Sequence, residues 1–200
     1  IEQECSVHVY GYMPTDETCS LESRHLGLVT AQEVSDLREK MQTLAAQAEK
    51  CIELDGLIDL MKAQPAMEAE APVASKIANV RIAVAKDKAF CFYYRDNLEL
   101  LEELGATLIP FSPLEGKELP ECDGLYLGGG YPELYTGQLS QNISMRESVK
   151  NAVQDGLPTI AECGGFMYLT DRIADAEMTG VIHGDCWDMK KLVRFGYAEF

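Results

Sequence analysis

Cys163 is the residue of this chain best placed to do chemistry. It stands in Glu162-Cys163-Gly164-Gly165, directly after the short apolar run Thr159–Ala161 and directly before the helical run 166–169. A strand that becomes a helix within a residue or two lifts the side chain at the turn out of the sheet, and glycines after it admit close backbone approach. The start of a helix favours a thiolate over a thiol, and its backbone N–H groups face an oxyanion developing nearby. The bland alternative is a buried cysteine beside a structural turn, and the strand–turn–glycine context favours the nucleophile over it.

A second strand end carries glycines as well. Gly128-Gly129-Gly130-Tyr131-Pro132-Glu133 follows the apolar run Gly124–Leu127. Ligands of open parallel sheets bind beyond the carboxyl ends of the strands, and a glycine run there presents backbone N–H groups to an anion. Alone this is a weak signal, because such runs occur in many ordinary loops. Together with the turn at Cys163 it is stronger, since both can face one pocket.

A reactive thiolate needs a general base, most often histidine. The chain has three. His8 lies in the apolar run 7–10 and reads as structural, His25 belongs to a different part of the chain, and His183 in Gly-Val-Ile-His-Gly-Asp reads as a loop residue. None is a convincing partner, so the base is expected beyond Phe200. Arg24-His25 form a basic pair ahead of a helix, read equally as an anion-binding pair or as a solvated or interface pair.

These residues need elements to hold them. In the first part, Thr30 and Glu33 fit a capping box, and Val34, Leu37, Met41, Leu44, Ala48 and Ile52 repeat at helical spacing. A second, short helix is expected over 56–62. Residues 63–78, rich in Ala, Pro and Glu without periodicity, read as a linker. From Val80 the pattern alternates. Strands are expected at 81–85, 107–111, Gly124–Leu127 and Thr159–Ala161. A helix through Leu98, Leu101 and Leu104 stops at Gly105, and another, capped by Ser144 and Glu147, runs to Gly156. Further strands are expected at 181–183 and 192–197. The alternation implies a parallel sheet covered on both faces.

Composition sets the limits. The net charge is −16, from 17 basic and 33 acidic side chains, a poor footprint for nucleic acid, which wants a basic face. The seven cysteines are an odd number without a C-x-x-C pair or zinc spacing, so free thiols in a reducing cytoplasm and no resident metal are expected. No apolar run reaches membrane-spanning length. The first residue is Ile1, and the chain reads as a piece of a longer one.

The segments GGGYPE (128–133), ECGGFMYL (162–169) and LVRFGY (192–197) resemble the carboxyl-terminal domain of the cobyrinate and hydrogenobyrinate a,c-diamide synthase family. RHLGLVTAQE (24–33) resembles the segment that closes that family's ATP-binding domain. The resemblance implies an α/β, flavodoxin-like glutamine amidotransferase sheet over 79–200, truncated at its C-terminus. Residues 1–62 would be a mostly helical remnant of a P-loop-type domain, and 63–78 the linker. Cys163 matches the nucleophile that takes ammonia from glutamine through a thioester, and Gly129 and Gly164 match the backbone donors of the oxyanion hole. Arg24 and His25 fall on the nucleotide or corrinoid side. ATP and Mg2+ would activate the a and c carboxylates of a corrinoid, cobyrinic acid, for amidation. No G-x-x-x-x-G-K-S/T phosphate loop occurs here, nor the family's later histidine motif. The segment by itself is therefore expected to hold no ATP and to be inactive. Apolar surface left on 1–62 allows self-association as a homodimer. The rivals are an amidase of nickel-sirohydrochlorin or cobyric acid, a non-catalytic α/β binding module and a cysteine peptidase of similar fold.

Overall fold

A computed structural model describes residues 1–24, 27–31, 33–67 and 75–190, with backbone alone at 23–24 and 27–28. His25, the middle of the expected linker and the expected strand 192–197 lie outside the described residues. The chain divides into two compact units, Ile1–Ala71 and Pro72–Phe200.

The first unit contains α1 (Glu2–Cys5), a 3-10 turn (Glu17–Cys19), the paired β1 (Ser23–Arg24) and β2 (Gly27–Leu28), α2 (Leu37–Cys51) and α3 (Leu54–Lys62). Thr30 and Glu33 do bond, Thr30 donating through Oγ1 at 2.7 Å and through its backbone N–H at 3.2 Å to Glu33 Oε2. They close a turn rather than start the helix, which begins at Leu37 after Asp36. A capping box fixes one turn of backbone, and here the chain leaves helical geometry again before α2. The segment 7–14 lies along α2 and α3. Glu53 N–H donates to Tyr10 O at 2.7 Å and Gln47 Nε2 to Pro14 O at 2.9 Å. No described residue of this unit is buried.

The second unit is α/β. Its sheet comprises β3 (Val80–Ala85), β4 (Ala106–Phe111), β5 (Gly124–Leu127) and β6 (Thr159–Ala161), in spatial order β4-β3-β5-β6 and parallel throughout. Taken in chain order this is the 2-1-3-4 arrangement with which flavodoxin-like sheets begin, and the winding direction reverses between β3 and β5. The helices are α4 (Arg95–Glu103), α5 (Thr136–Gln141), α6 (Ile143–Gln154) and α7 (Gly164–Leu169). β7 (Thr170–Ile173) pairs antiparallel with β8 (Ala176–Glu177) and parallel with β9 (Ile182–Cys186). The strand expected at 181–183 is therefore β9, longer than foreseen, and His183 lies within it. The cap of α6 also differs from expectation. Asn142 Oδ1 accepts from Met145 N–H at 3.4 Å, so the helix opens at Ile143, one residue ahead of Ser144. Asn is as strong an N-cap as Ser.

The core gathers Ala83, Ala85 and Phe90 with Leu125 and Leu127 of β5, Leu139, Met145 and Val149 of the helices, and Tyr168 and Ile173. Each large side chain removed from water here contributes roughly 1.5–3 kcal/mol. Among the described residues, the face of the sheet on the α4 side is covered only in part. Ile160, the middle residue of β6, is 64% exposed, and it lines an apolar groove with Leu100, Leu101 and Leu104 of the α4 side. Among the described residues no helix is long and apolar enough to cross a membrane.

Candidate active site

The turn expected at Cys163 is present and strained. Cys163 adopts φ 48°, ψ −110° between β6 and α7, outside the regions an L-residue normally populates. Such a conformation costs on the order of 1–3 kcal/mol and persists only where its surroundings over-determine it. The surroundings here are hydrogen bonds on either side. Glu162 N–H donates to Leu127 O at 2.9 Å, and Gly165 N–H lies 2.8 Å from Glu162 O and 3.0 Å from Gly128 O. Gly165 has no alternative residue, because a Cβ there would meet Leu127 O. The Cys163 side chain is exposed and its thiol is free.

The glycine loop after β5 lies against this turn. A Cβ on Gly129 would stand 3.5 Å from Cys163 Cβ, so the two strand ends share one site, as their sequence positions require. The loop is fixed peptide by peptide. Gly128 O accepts from Gly165 N–H, Gly129 O accepts from the N–H groups of Cys91 and Phe92 at 3.0 Å each, and Tyr131 N–H donates to Ala89 O at 3.0 Å. A trans peptide points its C=O and the following N–H in opposite directions. The Gly128–Gly129 peptide gives its oxygen to α7, which sends Gly129 N–H the other way, and Gly129 pairs with Phe92 in an isolated bridge. The next peptide gives its oxygen to Cys91 and Phe92, which sends Gly130 N–H back. Gly130 N is 3.2 Å from where a Gly164 Cβ would be. The Gly130 N–H thus lies on the side of the turn, next in the chain to the expected donor Gly129, which itself stands beside Cys163.

Behind the loop stand two tyrosines that the sequence reading did not single out. Tyr93 Oη accepts from Gly128 N–H at 2.9 Å and donates to Ala85 O at the end of β3. Burial raises its phenol well above the usual value. Tyr126 meets the Tyr93 ring edge-on, centroids 5.2 Å apart, and donates to Glu162 Oε2 at 2.7 Å. Burial, then the bond to Glu162, pushes Tyr126 up to about 12. The segment that carries Tyr93 is shaped by Asp87. Its Oδ1 accepts from Ala89 N–H at 2.8 Å and Phe90 N–H at 3.1 Å, and its Oδ2 from Ser112 Oγ at 2.8 Å and Leu114 N–H at 3.0 Å.

The two described histidines are each placed beside carboxylates of their own unit. His8 Nδ1 and Nε2 lie 3.3 Å from Glu2 and 3.6 Å from Glu53 within the first unit. His183 is 94% exposed on β9, 3.5 Å from Asp171. Arg24 belongs to β1, and His25 lies outside the described residues, so nothing is added to that pair. Among the described residues no group of three His, Cys, Asp or Glu could hold a metal ion.

Residues 81–193 match a protein family described as the CobB/CobQ-like glutamine amidotransferase domain. Over its whole length the chain is 44% identical to a cobyrinate a,c-diamide synthase of Caldanaerobacter subterraneus subsp. tengcongensis, covering 45% of that protein. It is 46% identical, over 100% of its length and 46% of the relative's, to one of Clostridium tetani. It is 41% identical, over 100% and 45%, to one of Salmonella typhimurium. The chain thus spans less than half the length of the relatives it matches.

Proposed function

Because the chain belongs to the CobB/CobQ-like glutamine amidotransferase domain family, we propose that Cys163 is its nucleophile and that glutamine is its ammonia source. The observation that carries this is the exposed cysteine held at φ 48° between a strand and a helix, facing a glycine loop whose peptides are locked. In the proposed reaction the Cys163 thiolate adds to the side-chain amide carbon of glutamine. The carbonyl oxygen takes the negative charge and is met by Gly164 N–H and a loop N–H. The expected loop donor was Gly129, and the peptide directions favour Gly130. Collapse of the adduct breaks the C–N bond, the leaving nitrogen takes a proton from the general base, and a thioester remains. Water, deprotonated by that base, then attacks the thioester, releasing glutamate and restoring the thiol. The base is proposed to be a histidine from sequence after Phe200, in line with the resemblance.

For the whole protein, the names of the relatives support amidation of the a and c carboxylates of cobyrinic acid in cobalamin biosynthesis over amidation of nickel-sirohydrochlorin or cobyric acid. The resemblance adds ATP and Mg2+ for activating those carboxylates, a nucleotide or corrinoid role for Arg24 and His25, a cytoplasmic location and a homodimer. Beyond Arg24, no described residue is assigned to the nucleotide or the metal, since no G-x-x-x-x-G-K-S/T motif occurs in the sequence.

The test is Cys163→Ala in the whole protein. Glutamine-dependent amidation should be lost while amidation with ammonium salts persists, and a diazoketone analogue of glutamine should label the wild type at Cys163 alone. Loss of both nitrogen sources, or wild-type protein that takes no label, argues against the assignment and for a binding module.

A further inference from the structure

The crevice where an open α/β sheet reverses its winding is where such folds ordinarily take a ligand. Here it lies between the carboxyl ends of β3 and β5, and a side chain occupies it. Tyr93 reaches in from the segment after β3. Its hydroxyl donates to Ala85 O, the last carbonyl of β3, and accepts from Gly128 N–H at 2.9 Å, the first amide beyond β5. Its ring fills the space beside Gly128, where a Cβ would strike it, and packs edge-on against Tyr126. One hydroxyl therefore ties two parallel strand ends together and fixes the amide that begins the glycine loop. Burial keeps that hydroxyl protonated far into alkaline pH, so it can donate and accept at once.

The loop is further anchored to Gly165 on one side and to Ala89, Cys91 and Phe92 on the other. Cys91 and Phe92 immediately precede Tyr93 in the chain, so the segment that clamps Gly129 O is the segment that Tyr93 pins to β3. The direction of the next N–H, Gly130's, follows from the direction of that peptide. Resting on the reading of Cys163 as the thiolate that attacks glutamine, we propose that Tyr93 is a positioning residue. Its hydroxyl, tied to Ala85 O and Gly128 N–H, holds the glycine loop so that its N–H meets the oxyanion formed at Cys163. It touches neither substrate nor thiol, and it closes the crevice so that the reaction centre lies one strand over, between β5 and β6.

A positioning role of this kind acts on the charged intermediate and not on the thiol itself. The experiment compares Tyr93→Phe with wild type in the whole protein, with Tyr94→Phe, an 80% exposed neighbour, as control. Glutaminase kcat should fall about tenfold in Tyr93→Phe, less than the 10²–10³ that follows removal of an oxyanion donor outright, while KM stays within about twofold, because ground-state binding is untouched. The maximal rate of inactivation by the diazoketone glutamine analogue should fall in parallel. The rate at which methyl methanethiolsulfonate forms a mixed disulfide with Cys163 should not change, since that reaction forms no oxyanion. Tyr94→Phe should match wild type throughout. Unchanged kcat in Tyr93→Phe overturns the proposal. So does a parallel fall of kcat and of thiol modification, which marks general disorder of the site. Cys163→Ala run alongside separates the two readings. If it keeps glutaminase activity the nucleophile assignment fails, whatever Tyr93 does.

Discussion

β5 and β6 are neighbours in one sheet, run parallel, and each ends in a glycine turn that faces the other, yet they are built in opposite ways. β5 is interior. Leu127 is fully buried, the strand is paired on both sides, and the oxygens of Gly128 and Gly129 in its loop are both engaged. β6 is three residues long, is the last strand of the sheet among the described residues, and exposes 64% of Ile160. It ends in a backbone conformation that an L-residue resists. On the proposed reading, the buried strand carries the N–H groups that would meet the oxyanion, and the exposed one carries the nucleophile. Strain at Cys163 is tolerable because the turn leans on β5 through Glu162 N–H and Gly165 N–H. It does not draw its support from β6 itself.

This contrast can be broken or sharpened by substitution. The largest effect is expected at the reactive end, where Cys163→Ala should lower glutamine-dependent turnover by at least about 10³-fold, read in steady-state assays against ammonium. Next comes the buried strand. Leu127→Ala should destabilise the second unit by about 2–5 kcal/mol in urea unfolding, whereas Ile160→Ala should change it by less than about 0.5 kcal/mol. Equal costs at the two positions would mean that β6 is covered in solution. Smaller still, and of opposite sign, Cys163→Gly should stabilise by about 1 kcal/mol, since glycine adopts a positive φ without the Cβ penalty. A fall in melting temperature would show that the turn is not strained. An effect of the same size as that of Cys163→Gly but opposite in sign is expected at Tyr126→Phe, which frees Glu162 but leaves the anchors of the glycine loop in place. It should cost about 1 kcal/mol of stability, measured by the same unfolding curve.

The parts of this arrangement that were legible in the sequence are the local ones. An apolar triplet followed by Cys-Gly-Gly and a helical run signals its turn through adjacent residues, and the parallel order of the sheet follows from strands alternating with helices. The parts that were not legible depend on partners far along the chain. Tyr93 sits in the aromatic run 90–94, and nothing in that run says that its hydroxyl meets an amide 35 positions later. The direction in which each loop N–H points turns on which carbonyls are already taken, by Gly165 on one side and by Cys91 and Phe92 on the other. Asn142 displaces Ser144 as the cap of α6 because it also ties Pro113 O and Gly116 O through its Nδ2, at 2.9 and 2.8 Å, two contacts that no capping pattern contains. In the first unit the helical repeat was real, but Met41 in it is 58% exposed. Periodicity tells which side of a helix is apolar and is silent on what covers it.

The positive φ at Cys163 also bears on how such a domain can change over generations. Cysteine and glycine codons differ by a single base. If Cys163 is the nucleophile proposed above, the step from one to the other at this position would abolish the reaction while relaxing the backbone, so misfolding would not remove the mutant. Only selection for the product opposes it. On that reading, a lineage with no need of the ammonia would have a short downhill route to a well-folded protein without the activity.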